Sequence, residues 1–213
     1  GPAARDIIRG AAGMLQQYAY DGGTAGEALE LTATFDPEAL DAALIDAGLP
    51  LWSRERPALL VWLAVDDGSS QAMVSRLDNA GYAETLRRRA RLRGLPVMLP
   101  LLDATDAAQL QATGPSASEN VLLASERYRA DAVLIGAVRA SPIGLWEGSW
   151  TLHAGDAPVS WTTQGDLAAI VIDEGIDGVA DALAERYARA AGARSNAVLS
   201  LRVVELGNVD EYA

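Results

Sequence analysis

An uninterrupted apolar run, Ala58–Val65, constrains the fold more than any other stretch of this chain. The run reads ALLVWLAV, follows Pro57 and ends at Asp66, the first of two aspartates. A strand with one solvated face alternates apolar and polar residues, whereas a strand covered on both faces stays apolar throughout. Crossing a bilayer takes about 20 apolar residues, so this run is too short to span one. It predicts a central strand that is buried on both faces.

The rest of the sequence switches between the apolar spacing of helices and that of strands. Helices are predicted at residues 3–18, 37–47, 83–94, 117–128 and 167–190, with caps at Asp36, Ser116 and Asp166. Further strands are predicted at Leu29–Phe35, Pro96–Leu102, Ala132–Ala140, Leu145–His153, Val159–Thr163 and Ala197–Leu206. Alternation of strands and helices favours parallel pairing through crossovers. The predicted class is α/β (α+β): a mixed, mostly parallel sheet with an antiparallel hairpin, flanked by helices.

The same pattern predicts one α/β domain over residues 1–206, which opens with the N-terminal helix. Residues 207–213 are then expected to begin a C-terminal region that is cut short. The opening Gly1-Pro2, without a methionine, is typical of a cleaved tag. A native signal peptide would have been removed when the tag was added, so the start of this sequence gives no information about cellular location.

Composition excludes several classes of chemistry. The chain has no Cys and no Lys, and His153 is its only histidine. Disulfides, a thiolate nucleophile, a Schiff-base lysine and a multi-histidine metal site are therefore ruled out. The formal net charge of −12 repels phosphate backbones, so nucleic acid is not an expected partner. No motif calls for a cofactor, and none is expected.

Three aspartates are candidate metal ligands because they follow predicted parallel strands. Asp66 and Asp67 end the central strand, and Asp103 ends the next apolar strand. Ligands of open α/β sheets gather at these edges, and carboxylates there could hold Mg²⁺ or Ca²⁺. Aspartates are also ordinary turn and cap residues, and Asp67-Gly68 is a common turn dipeptide. A metal-dependent site and a purely local role both remain open from the sequence.

One predicted helix carries a cluster of arginines in the sequence RRRARLRG. Its members are Arg87, Arg88, Arg89, Arg91 and Arg93. Such a cluster could bind acidic lipid headgroups or an acidic protein. We favour the simpler interpretation, a solvated helix face whose arginines pair with nearby acids. Arg93 is the exception, because its place at the end of the helix could point its side chain inward.

Three tryptophans lie on the predicted hairpin near the end of the sheet: Trp146, Trp150 and Trp161. Large rings more often fill the space between a sheet and its helices, but rings at an exposed groove can anchor a partner. These three residues are the candidate partner-binding residues of the chain. His153 is expected at a solvent-exposed strand end.

Five segments together resemble one bacterial family: LQQYAY, LPLWSRERPALLVWLAVDDG, RGLPVMLPLLD, ASERYRADAVLIGAV, and the W-x-x-x-W hairpin before SWTTQGD. The family is the domain of unknown function catalogued as two thousand and sixty-six, found in Gram-negative bacteria. The resemblance extends from about Leu15 to Tyr187, and the closing VELGNVDEYA is similar to the start of that family's smaller C-terminal region.

A looser resemblance exists at the level of the fold. The segment Asp131–Val138, with its neighbours in the chain, is similar to elements of the amino-terminal domain of the Tol-Pal translocation protein, the curli secretion lipoprotein and the lipoprotein activators of cell-wall synthases. Fold alone does not fix function. The resemblance implies protein-binding modules rather than enzymes.

These resemblances imply an exported protein, periplasmic or associated with the outer membrane. We therefore expect a non-catalytic periplasmic envelope protein that acts as a protein-binding or scaffold domain. Its expected partners are an envelope protein of unknown identity and further copies of the chain. No transmembrane segment is expected in this sequence. The alternative is a metal-dependent enzyme or switch that uses Asp66, Asp67 and Asp103.

Overall fold

A computed structural model describes residues 2–21, 30–52, 55–75, 81–111, 117–142 and 144–188. They divide into two compact units, one up to Leu51 and one at Trp52–Ala188. The predicted strand Ala197–Leu206, the cap Ser116 and residues 207–213 lie outside the described residues. The prediction of one domain over residues 1–206 and a further region at 207–213 therefore stays a prediction.

The first unit is a helix, a hairpin and a second helix. Its elements are α1 (Pro2–Gly10), a 3₁₀ turn (Ala11–Met14), β1 (Leu15–Asp21), β2 (Glu30–Phe35) and α2 (Pro37–Asp46). β1 and β2 pair antiparallel, with Tyr20 opposite Leu31. The predicted strand before Asp36 is confirmed, and Asp36 caps α2 by accepting hydrogen bonds from the N–H groups of Glu38 and Ala39.

The predicted helix at residues 3–18 is wrong in its second half. The α-helix ends at Gly10, and Leu15 begins a strand. Glycine weakens a helix by about 1 kcal/mol relative to alanine, and Gly10 and Gly13 stand close together here. The following QQYAY has the alternation that pairs with β2, so cross-strand pairing outweighs the apparent helical spacing.

The second unit contains a mixed sheet with helices. Its elements are β3 (Leu59–Asp66), β4 (Gln71–Met73), α3 (Tyr82–Leu92), β5 (Val97–Met98), α4 (Ala104–Leu110), α5 (Ala117–Ser125), β6 (Ala132–Ala140), β7 (Trp146–His153), β8 (Val159–Gly165) and α6 (Ala168–Tyr187). The strand order is β4-β3-β6-β7-β8, and β5 also pairs with β3.

The mixed α/β class is confirmed, but the balance of the sheet is corrected. β3 runs parallel to β6 and, over two residues, to β5, whereas the other three pairings among the described strands of this sheet are antiparallel. The apolar run Pro96–Leu102 supplies only the two-residue β5, and most of it is not strand. Consecutive hairpins from β6 to β8 therefore make this sheet mostly antiparallel.

The central strand β3 is buried on both faces, as its sequence predicts. Leu59, Val61 and Leu63 point into a core shared with α3 and α6. Leu60 and Trp62 point to the opposite face, where they meet Ala124 of α5. Burying one such side chain is worth about 1.5–3 kcal/mol, so this strand makes a large apolar contribution to both faces of the sheet.

Helix α6 covers one face of the sheet with the predicted apolar stripe. Ile172, Ile176, Val179 and Leu183 are fully buried. The predicted cap at Asp166 is wrong, because Leu167 holds the N-cap position and offers no side-chain hydrogen bond. Packing of the stripe, rather than capping, therefore fixes this helix.

Trp150 joins α6 to the sheet by filling a space that two glycines leave open. Its side chain is 1% exposed. A Cβ added to Gly136 of β6 or to Gly175 of α6 would overlap the indole ring. The indole Nε1 donates a 2.9 Å hydrogen bond to Oγ1 of Thr163, which in turn donates to the carbonyl of Val171 at 3.3 Å.

We expect Gly175→Ala to destabilise the second unit by about 1–3 kcal/mol. The added methyl group overlaps Trp150, and overpacking costs more than the gain of about 1 kcal/mol for alanine in a helix. Urea unfolding followed by tryptophan fluorescence measures the change. Glu174→Ala, on the exposed neighbouring residue, is the control and should change stability little; equal stability of both variants would contradict this packing.

Candidate functional site

Asp66 and Asp67 shape the turn after β3. Asp66 accepts a hydrogen bond from the N–H of Gly68 at 2.9 Å. Asp67 accepts hydrogen bonds from the hydroxyl of Ser69 and from the N–H groups of Ser69 and Ser70. These bonds, that of the Ser69 hydroxyl above all, lower the pKa of Asp67 to about 2. The local role of both residues is therefore to hold an exposed turn.

Asp103 caps α4 and forms an ion pair. Its carboxylate accepts hydrogen bonds from the N–H groups of Thr105 and Asp106. Both of its oxygens also accept from the guanidinium of Arg127, at 2.8 and 2.9 Å. The hydrogen bond from Arg127, followed by that from the N–H of Asp106, holds the pKa of Asp103 well below its usual range.

A buried polar network lies beside this cap, and sequence reasoning missed it. The side chain of Asp106 is fully buried and accepts from Arg127, from the hydroxyl of Tyr128 at 2.5 Å and from the N–H of Leu102. The Tyr128 oxygen accepts from the N–H of Leu101 at 2.9 Å. Burial first, and then the hydrogen bond to Asp106, raise the pKa of Tyr128.

This network is satisfied within the protein. A buried carboxylate is tolerated when it is both paired and hydrogen-bonded, as Asp106 is. Leu102 has a φ of +52°, a conformation uncommon for a residue other than glycine, and its N–H bonds to Asp106. The network thus fixes the chain at the start of α4. Only the spacing of Asp103 and Asp106 hinted at it in the sequence.

The predicted metal site is corrected by these contacts. In the part of the chain that the structure describes, no group of three acidic or histidine side chains is placed to hold an ion. Asp67 is committed to its turn, and Asp103 to Arg127. The three aspartates therefore do not form the carboxylate cluster that a metal-dependent enzyme or switch would need.

The arginine-rich helix α3 lies against the acidic side of α6. The pairs are Arg88–Asp173, Arg89–Asp177, Arg93–Asp177 and Arg93–Asp181. Arg91 pairs with Glu84 of its own helix at 2.8 Å. The interpretation of a face paired with nearby acids is confirmed for these arginines. Their charges are balanced by acids of α6 and by Glu84 of α3, which counts against a patch for acidic lipids.

The three hairpin tryptophans point toward α6, not toward solvent. Trp150 belongs to the core, so its prediction as a partner-binding residue is corrected. Trp146 and Trp161 are partly buried against the same core. The Trp161 ring packs over Gly178 of α6. The alternation in WEGSWTLH puts Trp146 and Trp150 on one face of β7, and α6 covers that face.

His153 is half-buried at the end of β7. Its Nε2 atom is buried and makes no hydrogen bond with the described residues. The expectation of a solvent-exposed histidine is therefore corrected.

Strand β8 ends the sheet in the described part of the chain. Its sequence, VSWTTQG, contains no charged residue and no proline. Ser160, Thr162 and Gln164 form an exposed face, whereas Trp161 and Thr163 face α6. The opposite edge strand, β4, has only three residues. β8 is therefore the one long edge among the described strands of this sheet.

Comparison with known proteins gives limited information. A family model described as a domain of unknown function (DUF8605) matches residues 1–53. This is less than half of the 213 residues, so it does not assign the chain to a family. No curated protein matches the chain. The resemblance to the family catalogued as two thousand and sixty-six, and that to the envelope domains, stay predictions.

Several solved structures are similar at low identity, among them three bacterial proteins. The Thermus thermophilus Protein Y N-terminal domain has 7% identity and a TM-score of 0.30, covering 62% of this chain and 98% of that one. The hypothetical protein CT253 from Chlamydia trachomatis has 13% identity and a TM-score of 0.37, and the match covers 62% of this chain and 99% of that one. A competence-damaged protein (CinA) superfamily protein from Enterobacter cloacae has 14% identity and a TM-score of 0.30, and the match covers 68% of this chain and 89% of that one. Scores this low carry no argument about fold or function.

We expect the Arg127–Asp103 pair to make stability depend on pH. Because the pKa of Asp103 is lowered in the folded state, its contribution is complete above the unfolded pKa of about 3.9. The contribution is lost progressively as the pH falls below that value. Asp103→Asn should lower the melting temperature at pH 7, and its difference from wild type should shrink between pH 5 and pH 2.

Asp36→Asn is the matched control, because Asp36 also caps a helix but has no arginine partner among the described residues. Asparagine is a good cap, so this variant should show a small and nearly pH-independent change. A loss at pH 7 that is the same for both variants would contradict the ion-pair account.

We expect Asp177→Asn to lower the melting temperature by a few degrees at low salt. The substitution leaves Arg89 and Arg93 without a shared carboxylate, and partly exposed ion pairs have small, salt-screened effects. The loss should fall in about 1 M NaCl. Glu174→Gln on the same helix is the control, and a loss that does not depend on salt would count against the ion pairs.

Proposed function

We propose that this chain is a non-catalytic protein-binding domain that pairs β8, the edge strand of the described sheet, with an extended segment of a partner. The observation that carries the proposal is the chemistry of that edge. Val159–Gly165 is seven residues long, uncharged and at the end of the described sheet. A partner strand would complete the backbone hydrogen bonds there, while exposed side chains would contribute specificity.

Soluble proteins usually protect such an edge from pairing with other chains. Charged residues, prolines, bulges and short strand length are the common means. β4 follows this rule by its length, since it has three residues. β8 instead carries valine, tryptophan and two threonines, which favour strands. Its chemistry favours the addition of a further strand.

The non-catalytic part of this proposal is supported by the structural hydrogen bonds that the described polar residues make. Asp67, Asp103 and Asp106 each hold their own loop or helix end through several hydrogen bonds. Arg127 and Tyr128 complete the hydrogen-bond network around the buried Asp106. These groups stabilise the fold and leave no evident site for a reacting substrate.

The cellular setting of the proposal rests on the resemblance to an exported family. In that setting the protein is periplasmic or associated with the outer membrane, and its partner is an envelope protein. In the described residues no helix combines the length and apolar character needed to cross a membrane. A second copy of the chain is the competing partner, because one β8 edge could pair with another.

We expect Thr162→Lys to weaken binding of strand-forming peptides by about tenfold or more, because a charge on an edge strand opposes pairing. Peptides of 12 residues selected on the wild-type protein from a display library are the probes, and fluorescence anisotropy measures Kd. Ser149→Lys is the control. Ser149 lies on β7 directly opposite Thr162 and is exposed on the same face of the sheet. Unlike β8, β7 is not an edge strand, because it lies between β6 and β8.

Ser149→Lys should change Kd by about twofold at most. Equal losses in both variants would mean that peptides bind the exposed face and not the edge. No loss in either variant would remove β8 as the binding site. Light scattering during size exclusion distinguishes self-pairing, since a wild-type dimer that Thr162→Lys dissociates would identify a second copy as the partner.

A further inference from the structure

A small groove opens where β8 begins. It has a volume of about 250 Å³ and lies between the β7–β8 turn and the last turns of α6. Its apolar lining comes mainly from Leu152, Val159 and Leu183, with Ala182 and Ala157. Val159, the first residue of the β8 edge, belongs to this lining, so the groove is continuous with that edge.

One cation stands at the rim of this groove. The guanidinium of Arg186 lies directly over Gly155 of the turn, which has a φ of +137°. A side chain at Gly155 would occupy the place of the guanidinium, so the glycine makes room for this cation. In the described part of the chain no carboxylate lies within ion-pairing distance of Arg186, in contrast to Arg88 and Arg127. The planar set of N–H donors on Arg186 fits the two oxygens of a carboxylate.

The direction of an added strand determines which end of it reaches the groove. Antiparallel pairs outnumber parallel ones two- to threefold, and β7 already pairs antiparallel with β8. A partner strand antiparallel to β8 begins opposite Gly165 and ends opposite Val159. Its C-terminus therefore arrives beside the apolar lining and Arg186.

We infer that the groove holds the C-terminal residue of the partner strand, with an apolar side chain in the groove and the α-carboxylate on Arg186. This inference rests on the proposed binding at the β8 edge. Arginine binds carboxylates through two parallel hydrogen bonds, and capture of a C-terminal carboxylate is a known mode of peptide recognition. Glu185, the other charged residue of the lining, opposes the carboxylate and favours a single terminal acid over an acidic segment.

The test uses a dye-labelled octapeptide of two lysines followed by alternating threonine and valine, ending in valine. One form has a free C-terminal carboxylate and the other a C-terminal amide. The free acid should bind the wild-type protein about tenfold more tightly than the amide. Arg186→Gln should remove this difference by weakening the acid alone. Glu185→Gln should strengthen binding of the acid and leave that of the amide unchanged.

Two further variants serve as controls. Arg129→Gln removes the same charge from an exposed residue outside the groove and should preserve the difference between acid and amide. Ala157→Trp fills the groove from the exposed turn and should weaken both peptides about tenfold. Circular dichroism spectra and melting temperatures confirm that each variant is folded.

The outcomes separate this inference from the proposed function. Equal binding of acid and amide to the wild type, or a preference that survives Arg186→Gln, would overturn the inference even if Thr162→Lys abolished binding. A preference that depends on Arg186 while Thr162→Lys has no effect would instead overturn strand addition at β8. No binding of the free acid at millimolar concentration would overturn the inference as well.

Discussion

The burial of β3 on both faces is the constraint on which the rest of the second unit depends. Seven of its eight residues are apolar, and its two faces belong to two different clusters of buried side chains. A strand of this kind is stable only in the middle of a sheet with helices on each side. β3 therefore places α3 and α6 over one face, α5 over the other, and leaves β8 at the far end.

The contact between α6 and the sheet shows how that arrangement uses its polar and aromatic residues. Trp150 takes the room left by Gly136 and Gly175, and its indole N–H reaches Thr163 and so α6. Arginines of α3 bind acids of α6, and both helices pack on this same face of the sheet. The arginines and acids at the surface and the tryptophan in the core thus hold the same helix in place.

The parts of the fold that the sequence predicted are those whose pattern is local. The continuous apolar run of β3, the strand β6, the hairpin of β7 and β8 and the stripe of α6 follow from spacing alone. The helix predicted at residues 3–18 failed where two glycines and cross-strand pairing intervened. The run Pro96–Leu102 failed because an apolar composition does not specify how many residues pair.

The candidate site was harder to predict because it depends on which elements meet in space. Alternation put Trp146 and Trp150 on one face, but it could not show that α6 covers this face. Arg88 and Asp173 are 85 positions apart, so their pairing has no local signal. The proposed roles of β8 and Arg186 likewise follow from their position at the end of the described sheet, and no local motif marks either of them in the sequence.

Strand addition at β8 is tested most directly by amide hydrogen exchange with and without a saturating binding peptide. If a partner strand pairs with this edge, exchange should slow at amides of Val159–Gly165 that do not bond to β7, and change little in β3 and β6. Tight binding of the peptide with no slowing anywhere in β8 would contradict the account.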